Sequence, residues 1–360
     1  MKYIKFKKIE DISCVLIGID KLMLVSSSKI SIMTLNFEDL FVLDNENYKG
    51  YNVFKDVFFI KKDFKGNKIL ISNVIKEFNT GKDDQRAFCG EGVYNSFFSS
   101  DLSKSYFGFY NIGKERYEWQ FERKLDSIFC LKNALFIKES FLLISINTLN
   151  GKTLWQYDIS KIGEFITPWE IKPAEVEQLI GVYNRILWVH LGNGKVIGLN
   201  IETGNLEHEL SDTPETNIHN GILKPLADGG KRERLIHYHF DEDMGKIFGL
   251  SFNTYCEINL QCKKPQFEIW LLNDQMKSLG LKEIYRYTAK DEDGNLYFID
   301  YNECKWGFFN TTTKSIEWVS EKITVESNPN AFTQLKEIQY GAGKVYVLDS
   351  NHTLHIFEKI

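Results

Sequence analysis

His237 and His239 stand two residues apart in an apolar and aromatic stretch, with His219 upstream, and imidazoles so grouped could bind zinc. Zinc wants three or four such ligands with an ordered second shell. Two histidines at i and i+2 with acidic neighbours read instead as a pair on one face of a strand, satisfied within the fold. The turns Asp241-Glu-Asp243 and Asp291-Glu-Asp293-Gly294 offer oxygen ligands of the kind calcium takes. Each falls where strands need a turn and lacks the downstream Glu of a calcium loop, so both read as solvated turns. Cys256 and Cys262 have no second pair to complete a zinc knuckle. Nowhere does the chain carry a glycine-rich phosphate loop, a nucleophile elbow or a metalloprotease helix. These observations point to a non-catalytic protein with no metal and no cofactor.

The elements that must position these residues repeat along the chain. An Asn ends an apolar run, a turn residue follows four positions later, and an aromatic or His comes four beyond that. The units are Asn111/Glu115/Trp119, Asn147/Gly151/Trp155, Asn200/Gly204/His208, Asn259/Lys263/Phe267 and Asn310/Lys314/Trp318. Self-similarity at roughly 35–60 residues marks a propeller or solenoid, in which each small sheet must stack on its neighbours. Before each Asn lie two apolar runs joined by a turn, as in Ile186–His190, Gly192-Asn-Gly194 and Val196–Asn200. Eight such hairpins can be counted. Aromatics at 14% and only seven Ala favour strands over helices. The expected fold is all-β: a single closed β-propeller of four-stranded antiparallel blades spanning residues 1–360. Eight blades fit best, and seven if the poorly matching region from Tyr48 to Gly92 is one irregular insertion. The last unit ends at Leu354–Phe357 without an outer strand, while Lys2–Lys7 forms an orphan strand at the start, so the N-terminal strand should close the last blade.

Asn147-Thr-Leu-Asn-Gly-Lys-Thr-Leu-Trp155 carries an Asn/Asp-x3-Gly-x3-Trp spacing that resembles the repeat of quinoprotein-like propellers, those related to pyrroloquinoline quinone dehydrogenases and the outer-membrane assembly lipoprotein. The resemblance implies that the Gly closes the turn between the two outer strands and that the Trp packs between blades. Asn stands here for the usual Asp, and only Gly151 and Gly204 keep the Gly, so a divergent relative is implied. An enzyme in the quinoprotein manner lacks the support of an export signal or an adjacent cysteine pair.

Four connections from an outer strand to the next inner strand are long: 160–177, 211–233, 273–283 and 320–336. Loops on a rigid scaffold are where binding residues are usually placed. These loops and the strands beside them carry Trp169, Lys172, His219, Lys224, Arg232, Arg234, Lys277 and Arg286, a locally basic set expected to meet an acidic protein surface. Pro173–Gln178 reads as a short helix with Pro in its first turn. Trp169, off the repeat, reads as an interface anchor. His237, His239 and Tyr340 are expected to line the central channel, where a small ligand or sugar is the alternative function.

A net charge of −5 with interspersed signs excludes the basic field that drives nucleic-acid binding. No window approaches a membrane span, and the N-terminus alternates apolar and basic residues rather than forming a signal. Scattered cysteines within apolar runs fit a reduced, cytoplasmic protein. Low Ala with abundant Lys, Asn, Ile and Phe fits an AT-rich bacterial genome. The function expected is that of a bacterial cytoplasmic protein-binding propeller, one version being an immunity or inhibitor protein that masks a partner.

Overall fold

A computed structural model describes residues 3–45, 50–54, 57–61, 67–71, 75–79, 82–89, 92–98, 104–111, 113–131, 134–166, 170–211, 217–219, 237–288, 290–325 and 334–359. Alternating apolar runs become antiparallel meanders, each ordered from an inner to an outer strand. The first blade spans residues 12–44, the second 50–79, the third 82–122, the fourth 127–158, the fifth 176–210, the sixth 239–271 and the seventh 284–319. The eighth combines Leu335–Gly341, Lys344–Asp349 and Leu354–Lys359 with the N-terminal strand Tyr3–Ile9, which pairs antiparallel with Leu354–Lys359. The chain is an eight-bladed β-propeller. The region from Tyr48 to Gly92 supplies the whole second blade and the start of the third, rather than an insertion.

Apolar side chains gather between blades, because both faces of each sheet are covered by a neighbour. Among the described residues, six clusters of buried residues each bridge two consecutive blades, and a seventh joins the last blade to the first. They run from Met23, Ile32 and Phe58 between the first and second to Tyr297, Trp306 and Val345 between the seventh and eighth. The eighth-to-first cluster joins Tyr346 and Ile356 to Ile12 and Leu22. The N–H of Ile12 also donates to the carbonyl of His352, at 2.7 Å.

The repeat has a physical explanation in its turns. Asn200 Oδ1 accepts the amides of Glu202 and Thr203, at 3.0 and 3.1 Å, and its carbonyl accepts the amide of Gly204 at 2.8 Å. Asn310 makes the same bonds to its own turn, and Asn147 accepts the amide of Leu149 on its side chain and that of Gly151 on its carbonyl. The residue four beyond the Asn is left-handed: Gly151 at φ 71°, Gly204 at 74°, and also Glu115 at 55° and Lys314 at 58°. At the two glycines a second constraint applies, because a Cβ on Gly204 would lie 2.6 Å from the Trp155 ring and one on Gly151 2.6 Å from the Trp119 ring. The sixth blade departs from the pattern: Phe267, the residue at the aromatic position, packs toward the fifth blade, and Trp270 takes the contact with the seventh.

Pro173–Gln178 is not helical. Ile171–Pro173 pairs with Glu164–Ile166 in a two-stranded hairpin, and Val176 already belongs to the inner strand Val176–Tyr183. Ala174 and Val176 are buried against the fourth and fifth blades, a tertiary demand that overrides the helix-starting Pro. The α-helix among the described residues is instead Asn273–Ser278, with Met276 buried.

Candidate functional site

Three of the four long connections are described in whole or in part, and their described residues are fastened to the adjoining blades. In 160–177, Asp158 Oδ1 accepts the amide of Ser160 at 3.1 Å to start a short helical turn whose Ile159 and Ile162 are buried. Lys195 Nζ reaches across from the fifth blade to the carbonyl of Ile162, at 2.9 Å, and Ala174 N–H donates to Gly163 O at 2.8 Å. In 273–283, Gln275 Oε1 accepts the Ile316 amide at 2.9 Å, and Asp300 Oδ2 accepts the amides of Lys282 and Glu283 at 2.6 and 3.2 Å. At the start of 320–336, Ile323 and Val325 are buried, and Ile323 N–H donates to Cys304 O at 2.8 Å. Buried apolar anchors and satisfied backbone groups make these connections a preorganised platform, on which binding loses little ordering entropy.

Lys277 is exposed in the last turn of Asn273–Ser278. Lys172 is half-buried on the hairpin and paired with Glu170 at 2.9 Å. His219 lies at the rim, outside the sixth blade, rather than on this face. Trp169, Lys224, Arg232 and Arg234 lie outside the described residues. Arg286 belongs to the inner strand Ile284–Tyr287, and its side chain is likewise outside them. Glu164, Glu170 and Glu283 are interspersed with the lysines, and Lys282 is paired with Glu303. The described part of the face is therefore mixed in charge.

The channel candidates separate. Tyr340 does not project toward the axis: its ring stacks on Tyr297 of the seventh blade at 4.5 Å and 10°. Alternate side chains of an inner strand face the two neighbouring blades, so the strand's edge, not its side chains, borders the axis. Tyr297 in turn donates to Asp291 Oδ2 at 2.7 Å and contacts the hydroxyl of Tyr3 at 2.8 Å, a buried polar link across the closing joint.

His237 and His239 do come together, ring centroids 5.6 Å apart, at the joint of the fifth and sixth blades. The Gln178 amide clamps the Tyr238 backbone, accepting from its N–H at 2.8 Å and donating to its carbonyl at 2.6 Å. Tyr287 donates its hydroxyl to the His237 carbonyl and lies edge-on to the His239 ring at 4.9 Å. A third imidazole, His190, sits against Tyr238 at 4.9 Å, buried, with no hydrogen-bond partner on Nε2 among the described residues. The sequence offered one signal for it, a lone polar residue in the apolar run Ile186–Leu191. No group of three or more His, Cys, Asp or Glu among the described residues is arranged to hold a metal ion.

Burial pushes both His190 and His239 down to about 4, with the neighbouring His237 adding to the shift. Above the ordinary value of 6.5 these groups are neutral in both states. As the pH falls below it the unfolded chain takes up protons first, so stability is lost from there down to about 4 and then levels off. For the buried His190 the loss between pH 7 and pH 5 is expected to be about 2 kcal/mol. Denaturant midpoints of the native chain and His190→Gln at the two pH values check this. An equal drop in both would contradict it.

No protein-family model matches the chain, and no characterised protein matches it by sequence. Solved structures do match it in shape. BamB from Moraxella catarrhalis is similar over 99% of this chain and 100% of its own, with a TM-score of 0.59 and 10% identity. The C-terminal WD40 domain of Sif2 is similar over 99% and 98%, with a TM-score of 0.64 and 9% identity. The computationally designed Ika8 protein is similar over 97% and 96%, with a TM-score of 0.56 and 9% identity. At such identities the likeness is one of fold, and the fold is the β-propeller.

Proposed function

We propose that the chain is a non-catalytic, protein-binding propeller of the bacterial cytoplasm, a divergent relative of quinoprotein-like propellers, that holds its partner on the face bearing the long connections. The observation that carries this reading is the anchoring just described: Ile162, Ala174, Met276, Leu281, Ile323 and Val325 are buried beneath connections whose outer residues stay exposed. A propeller needs only short connections to close its blades, so four long ones in consecutive blades, three of them fastened where they are described, provide a surface beyond what folding requires. The partner is a protein with an acidic patch, the charge being supplied by Lys224, Arg232 and Arg234 together with Lys277. Masking of that partner, as an immunity or inhibitor protein would do, is the concrete form of the proposal.

Trp169→Ala combined with Arg232→Glu and Arg234→Glu is expected to leave the melting temperature nearly unchanged and to weaken the partner at least about tenfold, with the remaining affinity less sensitive to salt. Calorimetry of the native and triple-mutant chains with the partner co-purified from the native host checks this. Unchanged affinity in the triple mutant would contradict it. A co-purifying small molecule in place of a protein would favour a ligand site in the channel.

A further inference from the structure

Among the described residues, the sixth blade differs from the other seven in having a fifth strand. Asn217–His219 lies outside Phe267–Leu271 and pairs with it in parallel, with Asn217 opposite Glu268, Ile218 opposite Ile269 and His219 opposite Trp270. Every other strand pairing among the described residues joins antiparallel neighbours. The outer strand of a propeller blade presents a row of unpaired N–H and C=O groups, and such an edge is a template for another strand. Here three residues from an insertion cover it.

The far end of this short strand is held by chemistry that is not specific to the chain's own segment. The His219 ring lies flat on Trp270, centroids 4.7 Å apart at 11°. His219 Nε2 is 3.8 Å from Glu268 Oε2, and both side chains are nearly half exposed. Trp270 itself is fixed from within the fold. The Lys314 ammonium sits 4.8 Å from its ring and the Tyr255 ring 5.5 Å away. Lys314 is in turn paired with Glu257. The platform is therefore rigid, whereas its cover is a three-residue parallel pairing, the weaker kind per residue.

We infer that the outer edge of Phe267–Leu271 is a strand-accepting site, filled in cis by Asn217–His219, whose external ligand is an extended segment of a partner protein with an arginine or histidine over Trp270. The backbone edge calls for an extended chain, the Trp270 face for a flat cationic group, and the Glu268 carboxylate for positive charge. A segment with a carboxylate at that place would meet Glu268 as a like charge. The site is on the rim, although its cis strand belongs to the 211–233 connection, and its test reads a synthetic peptide rather than the co-purified partner, so either reading can fail without the other.

The test uses the full chain with the cis strand disabled by N217G, I218P and H219G, the central Pro removing a ladder donor. The probe is a labelled synthetic peptide of residues 213–222, together with the same peptide carrying His219→Arg or His219→Glu. The vacated chain should bind the parent and Arg peptides at about 10–100 μM, with altered tryptophan emission. The intact chain should bind at least about tenfold more weakly, because its own segment competes at a roughly millimolar effective concentration. The Glu peptide should bind at least about tenfold more weakly than the Arg peptide, and Glu268→Gln should shrink that ratio. His219→Ala alone, which keeps the strand, should raise uptake by the otherwise intact chain at least about threefold. The inference is overturned if a folded vacated chain shows no saturable binding up to about 1 mM peptide. It is equally overturned by equal binding of the Glu and Arg peptides, by no effect of His219→Ala, or by loss of folding in the vacated chain, which would make Asn217–His219 an integral strand.

Discussion

Trp155→Ala is expected to cost about 3–5 kcal/mol, the loss typical of truncating a buried Trp. Trp155 belongs to the outer strand of the fourth blade and is almost wholly buried. Its indole N–H donates to the carbonyl of Ile201 in the fifth blade, at 2.7 Å, and its ring covers Gly204. Trp119 repeats the arrangement one blade earlier, donating to Thr148 O at 3.0 Å and covering Gly151. Truncation would open a cavity in the joint and leave the Ile201 carbonyl without this donor. Gly204→Ala should also destabilise, since φ is positive there and the added Cβ would drive into the ring. Urea unfolding monitored by circular dichroism checks both. A Trp155→Ala midpoint within error of the native chain would contradict the assignment of this residue to the blade interface.

Deleting residues 1–9 should lower the melting temperature by at least about 10 °C and cause aggregation, through loss of a buried aromatic and exposure of a strand edge. The deletion unpairs Leu354–Lys359 and removes Tyr3. The Tyr3 ring sits edge-on to Trp306 at 5.1 Å and 5.6 Å from Trp318. Trp318 is the repeat Trp of the seventh blade, and the eighth has no turn glycine to receive it, because its two outer strands come from opposite ends of the chain. Tyr3 fills that place. Restoring the strand through a flexible linker after Ile360 should recover most of the stability. A deletion variant that melts like the native chain would contradict this closure.

The architecture was legible because its signals are local. The Asn caps its own turn, the fourth residue is left-handed, and the outer-strand aromatic follows within one hairpin, so the whole unit fits in nine residues. The Asn310 unit shows why a strict pattern fails. Lys314 tolerates φ 58° at the Gly position, and its long stem carries an ammonium to Trp270, Tyr255 and the buried Glu257. Burial opposes the charge on Glu257, yet hydrogen bonds from Lys246 and Lys314 hold its carboxyl below the ordinary range. A cation over an aromatic thus replaces an aromatic over glycine.

What could not be read locally depends on pairing between distant segments. The parallel strand Asn217–His219 is joined to residues about fifty positions away, and nothing in its own sequence distinguishes it from a loop. Tyr340 reads as a channel residue until the seventh blade puts Tyr297 beneath it. His190 becomes part of a histidine group only through the Gln178 clamp on the Tyr238 backbone. The candidate basic residues were identifiable by type, but their company was not: Glu170 beside Lys172 alters the local field.

Hydrogen exchange of the chain alone and in complex with its co-purified partner tests the functional proposal most directly. Added protection is expected in 160–177, 211–233, 273–283 and 320–336, with the repeat turns at 147–151, 200–204 and 310–314 unchanged. Protection confined to those turns, with the four connections exchanging as they do in the free chain, would contradict the proposal.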